Sequence, residues 1–489
     1  MTVLPAATTE ADTRPETVAP GAVLAVDLDG TLCHTDTLHE AIFALISRNP
    51  AAIFQVPLWL RGGKVAFKAR VADASIVPGD ALPLNESVLE EVSQARAAGR
   101  RTALVTAADQ RQAEAVAETV GLFDEVHGTK DGRNLKGAEK SAFLTERYGE
   151  KGFDYIGDTR ADLPVWKAAR EAVTVRADAG LRQAAEASNA QVRHLDPPKS
   201  QALAALKAMR PHQWSKNSLI FVPALAAHNS WVLGIVALGF LAFCATASAV
   251  YLINDLLDLS ADRAHPRKRK RPFAAGDLTL LTGLFLAGGL LLFAFLIALF
   301  IGSPAFLITL VSYLIATFAY SLWLKRKLLI DVLTLASLYT VRIIAGGTVA
   351  GLVLSPWLLG FSMFVFLALA AVKRQAELMD QMATGRSTSG RAYETDDLPI
   401  LRSLALASGT ASILVLALYI ASPDVQPHYH IPELLWVLCP LVLYWVLRMV
   451  MMAHRQMMTD DPIVFAATDR TSQMIIALAG CVVLIAAFA

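Results

Sequence analysis

The sequence contains little charge and almost no cysteine for its length. Charged residues make up 18% of the 489 residues, against about 25% in soluble proteins. Hydrophobic residues make up 54%, and the net charge of +1 gives no overall basic field that would favour nucleic acid. The four cysteines lack the spacing of a disulfide framework or a metal site, which indicates reduced thiols. Composition therefore excludes a disordered, fibrous or disulfide-stabilised protein and favours a membrane protein.

The composition changes along the chain and predicts four segments. Residues 1–20 are expected to be a disordered leader, and they lack the apolar core of a signal peptide. Residues 21–195 alternate short apolar runs with amphipathic stretches, which predicts a parallel sheet covered by helices. Residues 196–209, beginning with Asp-Pro-Pro-Lys-Ser, are a predicted linker. Residues 210–489 are the predicted membrane domain.

Nine apolar stretches of the membrane domain are predicted to form transmembrane helices. Most reach the length of about 20 residues that a helix needs to cross a bilayer. The weakest is the first, which is short and contains Pro223. The stretches cover residues 215–229, 231–253, 278–301, 305–322, 328–350, 356–379, 399–421, 432–454 and 471–489.

Positive charge lies in or beside alternate loops between these stretches. Loops near residues 267, 326, 385 and 455 carry Lys and Arg, whereas those near 230, 303, 353 and 426 carry none. Basic loops tend to remain in the cytoplasm. The pattern predicts a multi-pass protein of the cell (inner) membrane, with the N-terminal domain and charged loops cytoplasmic and the C-terminus outward.

Two carboxylates follow the first strand-like run, Ala22–Val26. Asp27 and Asp29 are two residues apart at the carboxyl end of this strand, so they point the same way and lie where α/β sheets bind ligands. Gly30 then lets the backbone approach a phosphate closely. The pattern favours a phosphate-binding site over a solvated turn.

Three later features extend this site. The hydroxyl of Thr106 ends a second strand, and Lys136 supplies a cation in Asn-Leu-Lys-Gly. Lys140 is a rival for that role, since it lies one helical turn further on. Asp158 and Asp162 follow a third strand, and this pair of carboxylates suits a hard Mg²⁺ ion.

In this order the motifs resemble those of the haloacid dehalogenase superfamily of phosphohydrolases, over about residues 22–190. The resemblance implies a Rossmann-like α/β domain, with residues 38–78 forming a small helical cap. It implies that Asp27 is the nucleophile, Asp29 the general acid/base, and Thr106 and Lys136 the phosphate anchors. The implied Mg²⁺ ligands are Asp27, Asp29, the Leu28 carbonyl, Asp158 and Asp162.

Carboxylates also cluster at the end of the second apolar stretch. If the helix continues, Asp255, Asp258 and Asp262 fall within about 60° of one another. Such a stripe repels itself unless a cation lies between its members, and a diphosphate-bound Mg²⁺ is the natural occupant. The basic loop that follows contains phosphate-binding candidates or topogenic charge alone: Arg267, Lys268 and Arg271.

The sequence Asn254-Asp-x-x-Asp-x-x-x-Asp262 before a basic loop resembles the first signature of the UbiA-type prenyltransferases, over about residues 205–489. That resemblance implies an all-α bundle of nine transmembrane helices. The stretches 210–217, 261–276, 372–378 and 461–465 are similar to the polyprenyl-phosphate phosphoribosyltransferase branch, which acts on decaprenyl phosphate. The second aspartate signature of the wider family is not intact, which weakens the interpretation that the donor is a prenyl diphosphate.

Further polar residues of the membrane domain are candidate substrate ligands. Arg342 lies in the middle of a stretch, so it must face the bundle interior, either as a ligand or as a structural partner of a carboxylate. Lys373 and Arg374 are ligands or members of an ordinary helical ion pair. The remaining candidates are Lys216, Asn217, Asn254, Lys325, Asp331 and Tyr393.

These motifs imply a bifunctional membrane enzyme. The membrane domain is expected to transfer 5-phosphoribose from phosphoribosyl diphosphate to polyprenyl phosphate with Mg²⁺, and the soluble domain to remove the 5-phosphate. One alternative is a prenyl diphosphate-dependent aromatic prenyltransferase with an unrelated phosphatase domain, and another is a non-enzymatic membrane scaffold. Homo-oligomerisation is left open.

Overall fold

The computed structural model describes residues 21–130, 132–384, 392–423, 429–458 and 461–488. The predicted leader, residues 1–20, lies outside the described residues. The chain forms two compact units, Met1–Ala205 with Asp255–Thr282, and Leu206–Asn254 with Gly283–Ala489. The segment 255–282, which the sequence assigns to the membrane domain, therefore packs with the soluble domain.

Six parallel strands form the sheet of the first unit, in the order β3-β2-β1-β4-β5-β6. They are β1 Val23–Val26, β2 Thr102–Asp109, β3 Glu125–Thr129, β4 Phe153–Gly157, β5 Ala172–Val175 and β6 Val192–Leu195. Side chains alternate between the two sheet faces. Leu24 and Val26 accordingly join one apolar core, and Val23 and Ala25 join the other.

The helices of the soluble region include the predicted cap. Three helices occupy the stretch between the first two strands that the sequence assigns to a cap, α1 Thr37–Arg48, α2 Ala52–Trp59 and α3 Lys64–Ala74. Asp36 begins α1 by accepting hydrogen bonds from the Leu38 and His39 amides. The other helices are α4 Glu86–Ala97, α5 Gln110–Val120, α6 Ala138–Tyr148, α7 Leu163–Ala168, α8 Ala179–Ser188 and α9 Gln201–Met209.

The remaining chain is helical. Its helices are α10 Val222–Ala226, α11 Leu233–Leu257, α12 Leu259–Ala264, α13 Leu280–Ile301, α14 Pro304–Leu322, α15 Ile330–Ala350, α16 Pro356–Thr384, α17 Leu398–Ala421, α18 Leu438–His454, α19 Pro462–Thr468 and α20 Arg470–Phe488. Within the described residues, eight helices are long and apolar enough to cross a membrane. The chain is therefore a multi-pass membrane protein.

The first predicted span differs from the other eight. Residues Pro211–Phe221 form a 3₁₀ segment, and α10 adds only five residues before the chain turns. The segment buries Lys216 and Asn217, and a long apolar helix would not contain these groups. The Ile220 carbonyl lies where a side chain on Gly346 of α15 would be, so the segment packs closely on α15. Irregular backbone is tolerated in a membrane domain when protein surrounds it.

Candidate active sites

The predicted carboxylates meet at the carboxyl ends of two neighbouring strands. Asp27 follows β1 and Asp158 follows β4, and these strands are hydrogen-bonded to each other. Within the described residues, one group of three acidic side chains brings ligand oxygens within 4.8 Å of one another, namely Asp27, Asp158 and Asp162. Gly30 is required here, because a Cβ at this position would lie 2.0 Å from an Asp158 oxygen.

Lys140, rather than Lys136, contacts the predicted nucleophile. The Lys140 ammonium lies 2.9 Å from Asp27 Oδ2 and donates to the Tyr155 hydroxyl at 2.7 Å. It comes from α6 and is buried, whereas Lys136 lies in the preceding loop and is exposed. Both lysines line the same cavity. The geometry therefore favours Lys140 as the cation next to the phosphoryl group.

Burial dominates the electrostatics of this carboxylate group. Desolvation raises the pKa of Asp27, although the Lys140 cation opposes the shift. Desolvation and the neighbouring carboxylates raise the pKa of Asp158 well above its usual value. Clustered, desolvated carboxylates favour a bound cation, and an all-oxygen set is the kind that Mg²⁺ prefers. The residues present therefore fit a divalent metal ion.

Asp29 lies outside that three-carboxylate group. Its Oδ1 accepts hydrogen bonds from both the amide and the hydroxyl of Thr37, each at 2.7 Å, at the start of α1. Desolvation, together with the charge of Asp36, raises the pKa of Asp29 to about 7. The position and raised pKa of Asp29 suit the predicted acid/base role. The carboxylates that lie together as candidate metal ligands are instead Asp27, Asp158 and Asp162.

Two other predicted groups are engaged in local hydrogen bonds. The Thr106 side chain is fully buried and accepts a hydrogen bond from the Ala108 amide at 3.0 Å. The strand continues to Asp109, three residues beyond the predicted end. The Leu28 carbonyl accepts from the Cys33 amide at 2.8 Å. The Leu28 carbonyl closes the turn that carries Asp27 and Asp29, whereas the Thr106 hydrogen bond lies within β2.

A cavity of about 770 Å³ opens over these residues. The cap helix α3 contributes Lys68, which donates to the Ala107 carbonyl at 2.6 Å and to Asn134 at 3.0 Å. This cation was not among the predicted site residues, although Lys64 and Lys68 are one turn apart on α3 and both line the cavity. Another part of the lining comes from the segment before and at the start of α13: Gly276, Thr279, Leu280 and Leu281.

The aspartate stripe of the membrane domain is not on one continuous helix. The spacing of Asp255, Asp258 and Asp262 predicts one face of a continuous helix. In the structure, α11 ends at Leu257, and Asp258 lies outside helical geometry before α12 begins. Asp255 and Asp262 are buried, and Asp258 is exposed. The chain itself offsets the predicted repulsion between the Asp255 and Asp262 carboxylates, because Arg271 Nη1 donates to Asp255 at 3.1 Å and to Asp262 at 2.6 Å.

The basic residues around this segment differ in exposure. Arg271 is half-buried between the two carboxylates, whereas Arg267 and Lys268 are exposed. Lys268 comes within 4.0 Å of Asp262. The exposed side chains of Arg267 and Lys268 are accessible to an anionic ligand.

Two lysines and a carboxylate form a buried cluster in the second unit. Lys216 and Lys373 lie 2.7 and 3.0 Å from the same oxygen of Asp461. The Tyr339 hydroxyl donates to both Asp461 oxygens, at 3.3 and 3.2 Å. Asp461 is not among the predicted substrate ligands, although it begins the stretch 461–465 that resembles the phosphoribosyltransferase branch. Its burial and its three partners identify it as the centre of a cationic site.

Arg342 faces the interior of the bundle, as predicted. Its guanidinium donates to Asn217 at 2.8 Å and to the Tyr313 hydroxyl at 3.0 Å, and it also contacts the Leu338 carbonyl. These partners are an amide, a phenol and a carbonyl, which are all uncharged. They do not neutralise the positive charge that the guanidinium brings into the bundle. Asn217 also donates to Cys244 at 3.3 Å.

A second buried network joins α15 and α16. Arg374 pairs with Asp331 and Glu377, and the Tyr320 hydroxyl donates to Asp331 at 2.9 Å. Tyr393 accepts from the Leu329 amide at 3.1 Å beside this network. With Arg374 and Asp331 almost fully buried, the network is expected to hold the helix ends in place.

Two more of the predicted ligands lie at helix ends. The Asn254 amide donates to the Ser321 hydroxyl at 2.9 Å. Lys325 follows α14 and is partly exposed. Asn254 thereby joins the end of α11 to that of α14.

The chain thus combines a hydrolase-type α/β domain with a helical membrane domain that contains buried cations. Known proteins match both parts. The UbiA prenyltransferase family matches residues 218–467, and the haloacid dehalogenase-like hydrolases match residues 24–167. The chain belongs to the UbiA prenyltransferase family and carries an N-terminal haloacid dehalogenase-like domain. It is therefore a membrane transferase with a phosphatase-type domain.

Three relatives show how far the similarity extends. An uncharacterized protein y4nM of Sinorhizobium fredii is 40% identical over 93% of this chain and 89% of its own length. Nodulation protein NoeC of Azorhizobium caulinodans is 36% identical over 54% of this chain and 87% of its own length. The decaprenyl-phosphate phosphoribosyltransferase of Mycolicibacterium smegmatis is 36% identical over 47% of this chain and 73% of its own length.

Proposed function

We propose that the membrane domain transfers 5-phosphoribose from phosphoribosyl diphosphate to a polyprenyl phosphate, and that the soluble domain then removes the 5-phosphate. The buried cations of the second unit support the transfer reaction, because both substrates are phosphates. The likeness to decaprenyl-phosphate phosphoribosyltransferase supports the particular substrates.

The lysine cluster suits the binding of a lipid phosphate. Lys216 and Lys373 share one carboxylate, Asp461, so the two cations retain positive charge for an anion. An oxygen of the lipid phosphate attacks C1 of the ribose, and the bond from C1 to the diphosphate oxygen breaks. Diphosphate leaves with the bonding electrons. The chain contributes position and charge rather than a covalent nucleophile.

The departing diphosphate needs positive charge. Asp255 and Asp258 would hold Mg²⁺ at the end of α11, and the ion would neutralise the diphosphate as it leaves. Two carboxylates together with substrate phosphates are a usual Mg²⁺ environment. Arg267 and Lys268 are exposed next to them and can bind phosphate oxygens.

The soluble domain supplies the second reaction. The Asp27 carboxylate attacks the phosphorus of the 5-phosphate, and the bond from phosphorus to the sugar oxygen breaks while Asp29 gives that oxygen a proton. Asp29 then takes a proton from water, which attacks the phosphorus; the bond from phosphorus to the Asp27 oxygen breaks, which frees Asp27 and releases inorganic phosphate. Lys140 neutralises charge beside Asp27, and Asp158 and Asp162 would complete a Mg²⁺ site that polarises the phosphoryl group.

One observation carries the link between the two reactions. The wall of the phosphatase cavity includes Leu280 and Leu281, the first residues of α13, which is a candidate membrane span. A cavity for a small soluble phosphate has no need of such a wall. It suits a sugar phosphate attached to a lipid.

Contacts within the first unit support the proposed membrane topology. Arg263 pairs with Glu40 and Lys199 with Asp277, which favours a place on one side of the membrane for residues 21–205 and 258–279. The candidate span α11 lies between them in the chain, so this arrangement requires residues 206–229 to cross as well. The 3₁₀ segment rises roughly 22 Å and α10 roughly 8 Å, close to the roughly 30 Å of hydrocarbon. These considerations support nine crossings with the basic loops in the cytoplasm.

The test of transfer is direct. Membranes containing the chain are incubated with phosphoribosyl diphosphate labelled in the ribose, a polyprenyl phosphate and Mg²⁺. We expect label in the lipid fraction, and none when a chelator removes the metal. Incorporation of a prenyl diphosphate into an aromatic acceptor, with no labelled lipid, would support the alternative prenyltransferase reaction instead.

A further inference from the structure

One arginine of the segment after α11 is tied to the hydrolase domain by a buried ion pair. Arg263 of α12 donates to both oxygens of Glu40 on α1, at 3.0 and 2.6 Å. The side chain of Arg263 is 9% exposed and that of Glu40 is 3% exposed. The pair is therefore bidentate and shielded from water, which makes it unlike an exposed ion pair of little consequence.

The guanidinium has further partners that fix its orientation. It donates to the Ala81 carbonyl at 2.8 Å and to the Ala274 carbonyl at 3.1 Å. Ala81 lies in the hydrolase domain, and Ala274 lies in the turn after the basic loop. Arg263 therefore joins three parts of the chain at one point.

The same segment is held to the hydrolase domain at its other end. Lys199 pairs with Asp277 at 2.5 Å, and Arg176 donates to the Gly276 carbonyl at 3.2 Å. Gly276 has a φ of +67°, and a Cβ there would lie 2.4 Å from the Cβ of His34. Only glycine fits this close approach. The segment is thus anchored at both ends.

The anchored segment contains residues of the proposed transferase chemistry. Arg263 follows Asp262 in α12, and Arg271 of the same segment holds Asp255 and Asp262. Any movement of Arg263 would be passed directly to Asp262, the preceding residue, and through Arg271 to Asp255. A displacement of about 1 Å can cost a catalytic site about 100-fold in rate.

We propose that Glu40 and Arg263 are positioning residues for the transfer reaction. The hydrolase domain, through Glu40, holds the end of α11 and α12 in the geometry that binds metal and donor diphosphate. The transferase then depends on the hydrolase domain as a structural support, independently of hydrolysis. This inference rests on the proposed transfer function.

The experiment uses the full chain and four variants. Glu40→Leu and Arg263→Met each leave one buried charge unpaired, whereas the double variant removes both charges and keeps apolar volume. Glu91→Leu is the matched control, since Glu91 forms a bidentate pair with Arg193 in the same domain at 2.8 Å but at a more exposed site. Transfer is measured against Mg²⁺ concentration. Hydrolysis of p-nitrophenyl phosphate reports whether the hydrolase domain is folded.

We expect each single variant at the pair to need about 10- to 100-fold more Mg²⁺ for half-maximal transfer, as for other residues that support metal ligands. The double variant should recover part of this loss, and Glu91→Leu should behave like the wild type. Hydrolysis of p-nitrophenyl phosphate should persist in all four.

Three results would overturn the inference. They are an unchanged Mg²⁺ dependence in the single variants, a double variant worse than both, and parallel loss of hydrolysis and transfer, which indicates misfolding. Absence of transfer in the wild type would remove the proposed function, and this inference with it.

Discussion

At the scale of single residues, both domains rely on a buried lysine next to a carboxylate. In the hydrolase domain, Lys140 contacts Asp27, and in the membrane domain Lys216 and Lys373 contact Asp461. A buried charge is costly unless it is paired. These pairs keep ammonium groups charged where a phosphate is expected to bind.

Substitution can distinguish which of the two candidate lysines of the hydrolase domain anchors the phosphate. Lys140→Ala removes the cation beside Asp27 and should lower the rate of phosphate-ester hydrolysis by about 100-fold or more. Lys136→Ala removes an exposed side chain and should cost much less. The check is kcat and KM for p-nitrophenyl phosphate in both variants. A larger loss for Lys136→Ala would return the phosphate-anchoring role to that residue.

Asp461 is expected to be as important as the lysines that it contacts. Asp461→Asn leaves Lys216 and Lys373 without their shared counterion, so their positions and mutual repulsion change, and transfer should fall by about 100-fold. Asp469→Asn is the control, because Asp469 is a nearby carboxylate that pairs with Arg448 instead. The measurement is ribose label in lipid at saturating donor. Equal losses in the two variants would contradict a special role for Asp461.

At the scale of helices and strands, short irregular segments place the functional groups. The 3₁₀ segment 211–221 contains Lys216 and Asn217, and the break at Asp258 separates α11 from α12. Regular apolar helices supply the scaffold around them. The proposed functional groups are therefore concentrated where the helices are interrupted.

The 3₁₀ segment is expected to cross the membrane together with α10. Ser230→Cys follows this segment and should react with a membrane-impermeant maleimide in intact cells, in a chain whose exposed Cys481 is replaced by Ser. Ser260→Cys, after α11, should react only when the membrane is permeabilised. Reaction of both positions from the same side would mean that residues 206–229 do not cross.

Local sequence patterns predicted the regular elements but not their long-range partners. Asp27 and Asp158 could be placed at strand ends, because parallel strands bring those ends to one edge. The sequence could not show whether Lys136 or Lys140 is the cation beside Asp27. The two lysines are only one helical turn apart, and the difference between them is burial in the folded domain. The partners of Asp461 come from residues up to 245 positions away. The predicted aspartate stripe failed because a continuous helix was assumed through Asp258.

At the scale of the whole molecule, the proposed function gives the chain two reactions with distinct catalytic groups. The carboxylates of the hydrolase domain follow β1 and β4, whereas Asp255 is on the membrane helix α11. A product of one reaction that is a substrate of the other benefits from a high effective concentration, about millimolar for a short tether. The two steps should nevertheless be separable by substitution.

Asp255→Asn tests that separation. The change removes one proposed metal ligand and one partner of Arg271, so labelling of lipid from phosphoribosyl diphosphate should be lost. Hydrolysis of p-nitrophenyl phosphate should persist, since Asp27, Asp158 and Lys140 are unchanged. Full lipid labelling by Asp255→Asn would exclude this carboxylate from transfer.

The charge of the lipid product tests the central claim most directly. Wild-type membranes and Asp27→Asn membranes are supplied with ribose-labelled phosphoribosyl diphosphate, polyprenyl phosphate and Mg²⁺, and the labelled lipids are separated by anion exchange and weighed by mass spectrometry. The wild type should accumulate polyprenyl phosphoribose without a 5-phosphate. The Asp27→Asn variant should form as much labelled lipid but retain the 5-phosphate. The same product from both proteins would contradict the account.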